Sequence, residues 1–189
     1  MKRRTLLLGA AFFAALGLSL AGQGLWIKAK AAVAQVLLEQ AFAQSVATGA
    51  PVKPWRWADT WPVARLRVPR LGASAIVLAS GSGQSLAFGP GHLAGTPDAG
   101  EPGTAVYAAH RDTHFAFLGE LKTGDAIAVT NASGLTYSYR VTGAKIVRWD
   151  APGIDAHAAG YHLALTTCWP LAAKTPGPLR YVVEAELIR

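Results

Sequence analysis

Val63-Ala64-Arg65-Leu66-Arg67-Val68, closed by Pro69, is where the periodicity of this chain changes. Apart from the small Ala64, apolar and basic residues alternate there, the two-residue period of a half-buried strand, and the proline cannot continue a ladder. Residues 75–79, 104–108, 125–130, 135–148, 161–167 and 179–188 are further strand candidates. They are rich in Val, Ile, Thr and Tyr, and Gly, Pro, Asp or Asn punctuates them. In the last of them Val183, Ala185 and Leu187 face one way, Glu184 and Glu186 the other. Only residues 113–121 read as helix within this body. Seven or eight short strands in roughly 125 residues predict a mainly β domain over residues 63–189, a closed barrel or a sandwich. Pattern alone does not choose between them.

Upstream of Val63 the period is helical. Residues 28–48 are Ala-rich, with Leu38, Phe42 and Val46 at i, i+4 and i+8, and Gly49 followed by Pro51 forms a stop. This second helix reads as a stalk or packing helix. Residues 53–62 hold Pro54, Pro62, Trp55, Trp57 and Trp61, too aromatic for a flexible linker. The rings are expected to bury against the domain, with headgroup contact as the alternative. Before them, residues 5–27 carry no charge. At ~1.5 Å per residue they reach ~35 Å, enough to cross a ~30 Å hydrocarbon core. Lys2, Arg3 and Arg4 favour a cytoplasmic N-terminus, Lys28 and Lys30 weaken that bias, and Trp26 falls at the far interface. Ser19-Leu20-Ala21 offers a small-x-small cleavage site, but the apolar run continues past it, so an uncleaved anchor is expected. The predicted division is residues 1–27 as basic tip and membrane-spanning anchor, 28–62 as stalk and linker, 63–189 as barrel. With anchor or signal peptide, the body is exported.

Charge is distributed to match. Of the formal net charge of +7, residues 1–62 hold seven basic against two acidic side chains, the remainder eleven against nine. The basicity sits where anionic headgroups are the natural counter-charge, and no basic stripe interleaved with aromatics supports nucleic-acid binding. Half the chain is apolar (51%) and only 15% is charged, which excludes disorder. A single cysteine excludes an internal disulfide and a multi-thiolate zinc site. Asp150 and Asp155 are too sparse for a calcium site, and no cofactor is expected.

That cysteine lies in Ala164-Leu165-Thr166-Thr167-Cys168-Trp169-Pro170. A strand pattern ends there, which places the thiol beside a loop and a substrate's path, whereas a mid-strand thiol is more often core. Arg180 opens the final strand twelve residues on. Its planar, permanently charged fork suits an oxyanion, although on spacing alone it reads as an ordinary surface arginine. Five histidines precede Cys168: His92, His110, His114, His157 and His162. That order excludes the papain arrangement. His110 ends an apolar strand, facing a loop. His110-Arg111-Asp112-Thr113-His114 has Arg where a zincin has its Glu, and a cation there repels a metal. His92 and His157 read as solvated loop residues, His162 as structural.

The order His, Cys, Arg, with Leu165-x-Thr167 before Cys168 and the arginine on the next strand, resembles the sortase family. Ala164 replaces the Thr that opens that family's motif around the cysteine. Ala109-His110-Arg111-Asp112-Thr113, the nearby Phe115 and Leu118, and Leu121-Lys122-Thr123-Gly124-Asp125 resemble the family's histidine segment, with Ala109 in place of its Gly. Leu179-Arg180-Tyr181-Val182-Val183 resembles its arginine segment. The resemblance covers about residues 55–189. The apolar N-terminus, the Ala-rich helix and Pro54-Trp55-Arg56-Trp57-Ala58-Asp59-Thr60 are similar to the class GN sortases of Gram-negative bacteria.

The resemblance implies a sortase-like closed barrel of about eight strands, and a cysteine transpeptidase of the inner membrane with its catalytic domain in the periplasm. Cys168 is then the nucleophile, His110 the proton-transfer partner and Arg180 the oxyanion stabiliser. The partners implied are a target protein's C-terminal Leu-Pro-x-Thr-Gly-like sorting signal and an amine acceptor. Two alternatives differ. An L,D-transpeptidase of the cell wall carries Ser/Thr-His-Gly before its cysteine, where this chain has Thr166 and Thr167. A catalytically silent, membrane-tethered β module would make the three residues a coincidence or a relic.

Overall fold

Among the described residues eight strands form, and they close. In chain order they are β1 (Pro62–Val68), β2 (Ala73–Leu78), β3 (Gly91–His92), β4 (Gly103–Ala108), β5 (Ala126–Asn131), β6 (Thr136–Arg148), β7 (Tyr161–Trp169) and β8 (Leu179–Leu187). The computed structural model describes residues 2–188. Met1, Arg189 and several side chains among residues 2–11, including Lys2 and Arg3 of the predicted basic flank, lie outside the described part. Strand order around the barrel is β1-β2-β3-β4-β7-β8-β6-β5. The choice between barrel and sandwich is therefore settled in favour of the barrel, as the family resemblance implies.

Alternation explains which side chains fill it. In β1, Ala64, Leu66 and Val68 are buried, whereas Arg67 is exposed. The small Ala64 is a core-facing position and keeps the period intact. In β8, Val183 and Ala185 point into the barrel and Glu186 points out. Leu66, Val129, Phe115, Leu118, Tyr139 and Leu165 belong to the interior. Tyr139 also takes its hydroxyl to the Gly100 N–H at 2.8 Å. Gly100 has φ +93°, and a Cβ there would lie 2.2 Å from the Tyr137 ring, so both backbone and packing demand glycine.

Within residues 113–121, read as helical, the helix that forms is shorter and of the tighter 3-10 kind. It is a 3-10 turn, Ala116–Glu120, closed by Leu118 N–H to Phe115 carbonyl (3.1 Å) and Leu121 N–H to Leu118 carbonyl (3.3 Å). Phe115 and Leu118 must both enter the core within one short crossing, and the tighter turn delivers them.

The chain divides into two compact units, Met1–Val36 and Leu37–Arg189. A single helix, α1 (Lys2–Thr48), takes the place of two predicted helical stretches. No proline interrupts it, and Gly22 and Gly24 lower helix propensity without forcing a break. Within α1, Phe12–Thr48 is apolar and long enough to cross a membrane by length and composition, and in the first unit Phe13, Leu18 and Leu25 are exposed.

The second unit takes in more than the predicted barrel segment. Leu38 and Phe42 of α1 pack on Ile76 and Leu78 of β2, on the outside of the barrel. This second cover is why residues 75–78 are buried without alternation. Glu39 pairs with Arg65, whose guanidinium lies 4.8 Å from the Phe42 ring centroid. Within residues 53–62, Trp55 meets Phe88 edge to face at 5.1 Å, but Trp57 is 83% exposed, against the burial expected of it. Phe42→Ala should destabilise this unit by about 3–5 kcal/mol, measured as a lower urea midpoint at unchanged slope. A loss below about 1 kcal/mol would mean that α1 is not integral to it.

Candidate active site

Three registers define one row of side chains. β4 and β7 run parallel with Ala108 beside Thr166. β7 and β8 run antiparallel with Cys168 beside Arg180, and β8 places Arg180 beside Val147 of β6. Pairing persists past the end of β4, because the Ala109 N–H donates to the Thr166 carbonyl at 3.2 Å. Two residues beyond Ala108, His110 therefore comes level with Cys168. Neighbouring strands lie about 4.8 Å apart. The thiol-bearing residue is thus flanked by His110 on one side and Arg180 on the other. All three predicted site residues are brought together.

Strand alternation also decides the face. Leu163, Leu165 and Val183 fill the barrel, so Ala164, Thr166, Cys168, Arg180 and Val182 lie on its outer surface. Lower on that surface Val106, Ala164 and Val182 are covered by Leu93, Val147 and Ile154. Where the cover ends, a cleft of about 280 Å³ opens, lined by His110, Cys168 and Arg180 together with Leu86, Trp149 and Pro152. Cys168 is half-buried and His110 exposed. The thiol is the penultimate residue of β7, one step inside the strand rather than beyond its end.

The row is tied down from within. Thr167 is buried, and its Oγ1 donates to the Ala109 carbonyl at 2.7 Å. The residue before the thiol is therefore clamped to the residue before the imidazole. Arg180 donates from Nη1 to the carbonyls of Gly177 and Leu179, both at 2.9 Å. In the sequence Thr167 reads only as part of the motif before the cysteine. A hydroxyl at an inward-facing strand position was the available signal for its bond.

The other histidines fall elsewhere. His114 is half-buried, and burial pushes its pKa below the usual imidazole range, with a charge on His110 acting the same way. His92 is not a solvated loop residue: its Nε2 lies 3.0 Å from the Pro97 carbonyl and its ring packs edge-on to Tyr107 at 5.5 Å. It braces the turn after β3. His162 approaches the Ala159 carbonyl at 2.9 Å, a structural contact as expected. His157 is exposed.

Residues 66–188 match the family model for the sortase domain. The chain belongs to the sortase family. The matched region contains His110, Cys168 and Arg180, so the whole row lies inside the sortase domain. Sortase D of Bacillus subtilis is 30% identical over 124 residues, covering 65% of this chain and 62% of that protein. This chain thus matches less than two thirds of that relative's length. Among solved sortases, Sortase A from Corynebacterium diphtheriae superposes with a TM-score of 0.62 at 25% identity, covering 72% of this chain and 64% of that one. Sortase C2 of Group B Streptococcus pilus island 1 gives 0.60 at 28% identity, covering 68% and 74%. A Clostridium perfringens Sortase D5 shares the fold over 84% of this chain and 99% of its own, at 20% identity and a TM-score of 0.66. Sortase membership sets aside the L,D-transpeptidase alternative.

Proposed function

We propose that this sortase is a membrane-anchored cysteine transpeptidase that cleaves a C-terminal sorting signal and passes the acyl group to an amine. The observation that carries the reading is the row of His110, Cys168 and Arg180 at the mouth of an apolar cleft. The Cys168 thiolate attacks the scissile carbonyl carbon. An S–C bond forms, the C–N bond breaks, and the departing nitrogen takes a proton from His110. An acceptor amine then attacks the thioester carbonyl carbon, a C–N bond forms, the C–S bond breaks, the amine's proton passes to His110 and Cys168 leaves as the thiolate. Arg180 donates hydrogen bonds to the oxyanion of each tetrahedral intermediate, or holds the substrate backbone. The apolar wall of Leu86, Leu93 and Ile154 suits the Leu-Pro end of a Leu-Pro-x-Thr-Gly-like signal, because a dry, shaped surface can hold apolar side chains in register with the thiol.

Incubation of the full chain in detergent with such a peptide and a primary amine tests the reading. The joined product should form faster than the hydrolysed one, and thiol labelling should depend on His110. Neither cleavage nor His110-dependent labelling would leave the silent binding module as the better account.

The assignment extends to the class GN sortases and to the inner membrane, with the catalytic domain in the periplasm. It is supported by the apolar start of α1 and by the Pro54–Thr60 motif. Residues 1–27 are then the anchor, and the end of α1, with Leu38 and Phe42 on β2, is a packing helix of the catalytic unit. Intact mass of the membrane-bound protein should retain the N-terminal segment. A mature N-terminus at Gly22 would contradict the anchor and leave export intact.

A further inference from the structure

Two segments adjoin the row: residues 109–121, which carry His110, and the loop 170–178, which joins Cys168's strand to Arg180's. One side chain stitches them together. Arg111 donates from Nη1 to the Pro170 carbonyl at 3.1 Å and from Nη2 to the Thr175 carbonyl at 2.8 Å. A single planar fork therefore grips the loop at two points five residues apart, a geometry that an ammonium cannot reproduce. The same junction is close-packed a few residues on. A Cβ at Gly119 would lie 2.6 Å from Leu171 Cδ1, so the loop rests against the 3-10 turn that follows His110.

The far end of the loop then bears on the site. The Gly177 and Leu179 carbonyls both accept from Arg180 Nη1 at 2.9 Å. The connections run in series: Arg111 holds Pro170 and Thr175, and the same loop's closing residues hold Arg180 level with Cys168. Without Arg111, residues 170–178 keep their covalent ends on β7 and β8 but lose both polar ties to the His110 segment.

We infer that Arg111 is a positioning residue: it moors the β7–β8 loop and, through the loop, fixes the guanidinium of Arg180 beside Cys168, without itself touching substrate. The inference rests on the proposed transpeptidase reading. It does not rest on the identity of the sorting signal.

Two measurements on the full chain in detergent test it. The first is kinetic, with a Leu-Pro-x-Thr-Gly-type peptide. Arg111→Ala should lower kcat for acylation on the order of 10- to 100-fold, the range expected when a catalytic group is misplaced by about an ångström, with KM nearly unchanged. Arg111→Lys, which can reach one carbonyl but not both, should fall between parent and Ala. In an Arg180→Ala background, Arg111→Ala should cost less than about 2-fold more, because its effect passes through Arg180. The second is hydrogen exchange, which needs no turnover. Amides within residues 171–177 should exchange faster in Arg111→Ala and to a lesser degree in Arg111→Lys, with β4 and β7 protection unchanged.

Unchanged loop exchange in both variants would overturn the mooring. Faster exchange with parental kcat would overturn the link to Arg180, as would a full, multiplicative loss in the Arg180→Ala background. If the parent chain turned over no peptide at all, the transpeptidase reading would fail on its own, and the exchange measurement would still decide whether Arg111 holds the loop.

Discussion

His110→Ala should slow acyl transfer about 10²–10⁴-fold while leaving the barrel folded, the range for removal of a positioned general acid–base group. The expectation follows from register. Ala108 pairs with Thr166, the Ala109 N–H still bonds the Thr166 carbonyl, and His110 is thereby carried level with Cys168. No other histidine stands in that row. His114, four residues on, is half-buried and lies outside the group of side chains that lines the cleft. His114→Ala should therefore cost far less. The deficit in His110→Ala should fall on the breakdown of the first tetrahedral intermediate, where the amine needs a proton to leave. A peptide ester, whose alkoxide leaves more readily, should recover part of the lost rate. Equal losses in the His110 and His114 variants, both folded, would contradict the assignment.

Arg180→Lys should slow acylation on the order of 10²–10³-fold, about 2.7–4 kcal/mol, if the guanidinium supplies an oxyanion donor. Lysine retains the charge and loses the fork. In Arg180, Nη1 is committed to the Gly177 and Leu179 carbonyls, so the group is held by the end of the β7–β8 loop and the first residue of its strand and does not need substrate to order it. A lysine cannot anchor on those carbonyls and present further donors in the same plane. The loss should appear in kcat/KM for the peptide, whereas a small alkylating reagent should still modify Cys168. A surface arginine with no part in the chemistry would tolerate the change within about 0.5 kcal/mol of stability and with no kinetic effect. Parental turnover by folded Arg180→Lys and Arg180→Ala would contradict the role.

Much of this arrangement is legible in the sequence because strand alternation and motif order both survive in it. β1 and the part of β8 after Val182 show their period directly, since one face of each meets the interior and the other is largely polar. β7 hides it. Leu163, Ala164 and Leu165 are buried in succession, the inward pair by the barrel core and Ala164 by the patch under Leu93 and Ile154. A strand covered on both faces gives no alternation to read. β3 is two residues long and pairs with both β2 and β4 from within a Gly-Pro-Gly-His run, which reads locally as a turn. Its existence is a tertiary fact. The histidine contacts divide the same way. His110 announces itself by ending an apolar strand, whereas His92 braces a turn whose closure depends on residues 96–98 folding back upon it.

The contacts least visible in the sequence are those that span it. Thr167 bonds Ala109 across 58 positions, and Arg111 reaches Pro170 and Thr175 across 59 and 64. Nothing in the local composition of either segment signals such pairing. Only the parallel closure of β4 on β7 brings the segments side by side. The C-terminal turns of α1 belong to the same class. Their apolar stripe is plain, and the unbroken run Ala75-Ile76-Val77-Leu78 fits a strand covered on both faces, but nothing in either segment assigns the one as partner of the other.

The central claim is that the Cys168 sulfur carries the acyl group between donor and acceptor. Quenching the full chain in acid during turnover of a Leu-Pro-x-Thr-Gly-type peptide, without added amine, tests it directly by intact mass and fragment mapping. The account predicts an adduct equal to the peptide's acyl portion, mapped to Cys168, labile to hydroxylamine and lost when an amine is supplied. The adduct should persist longer in His110→Ala once formed, because the arriving nucleophile then lacks its base. Cleavage or joining of the peptide with no adduct on Cys168, or undiminished turnover by Cys168→Ala, would contradict it.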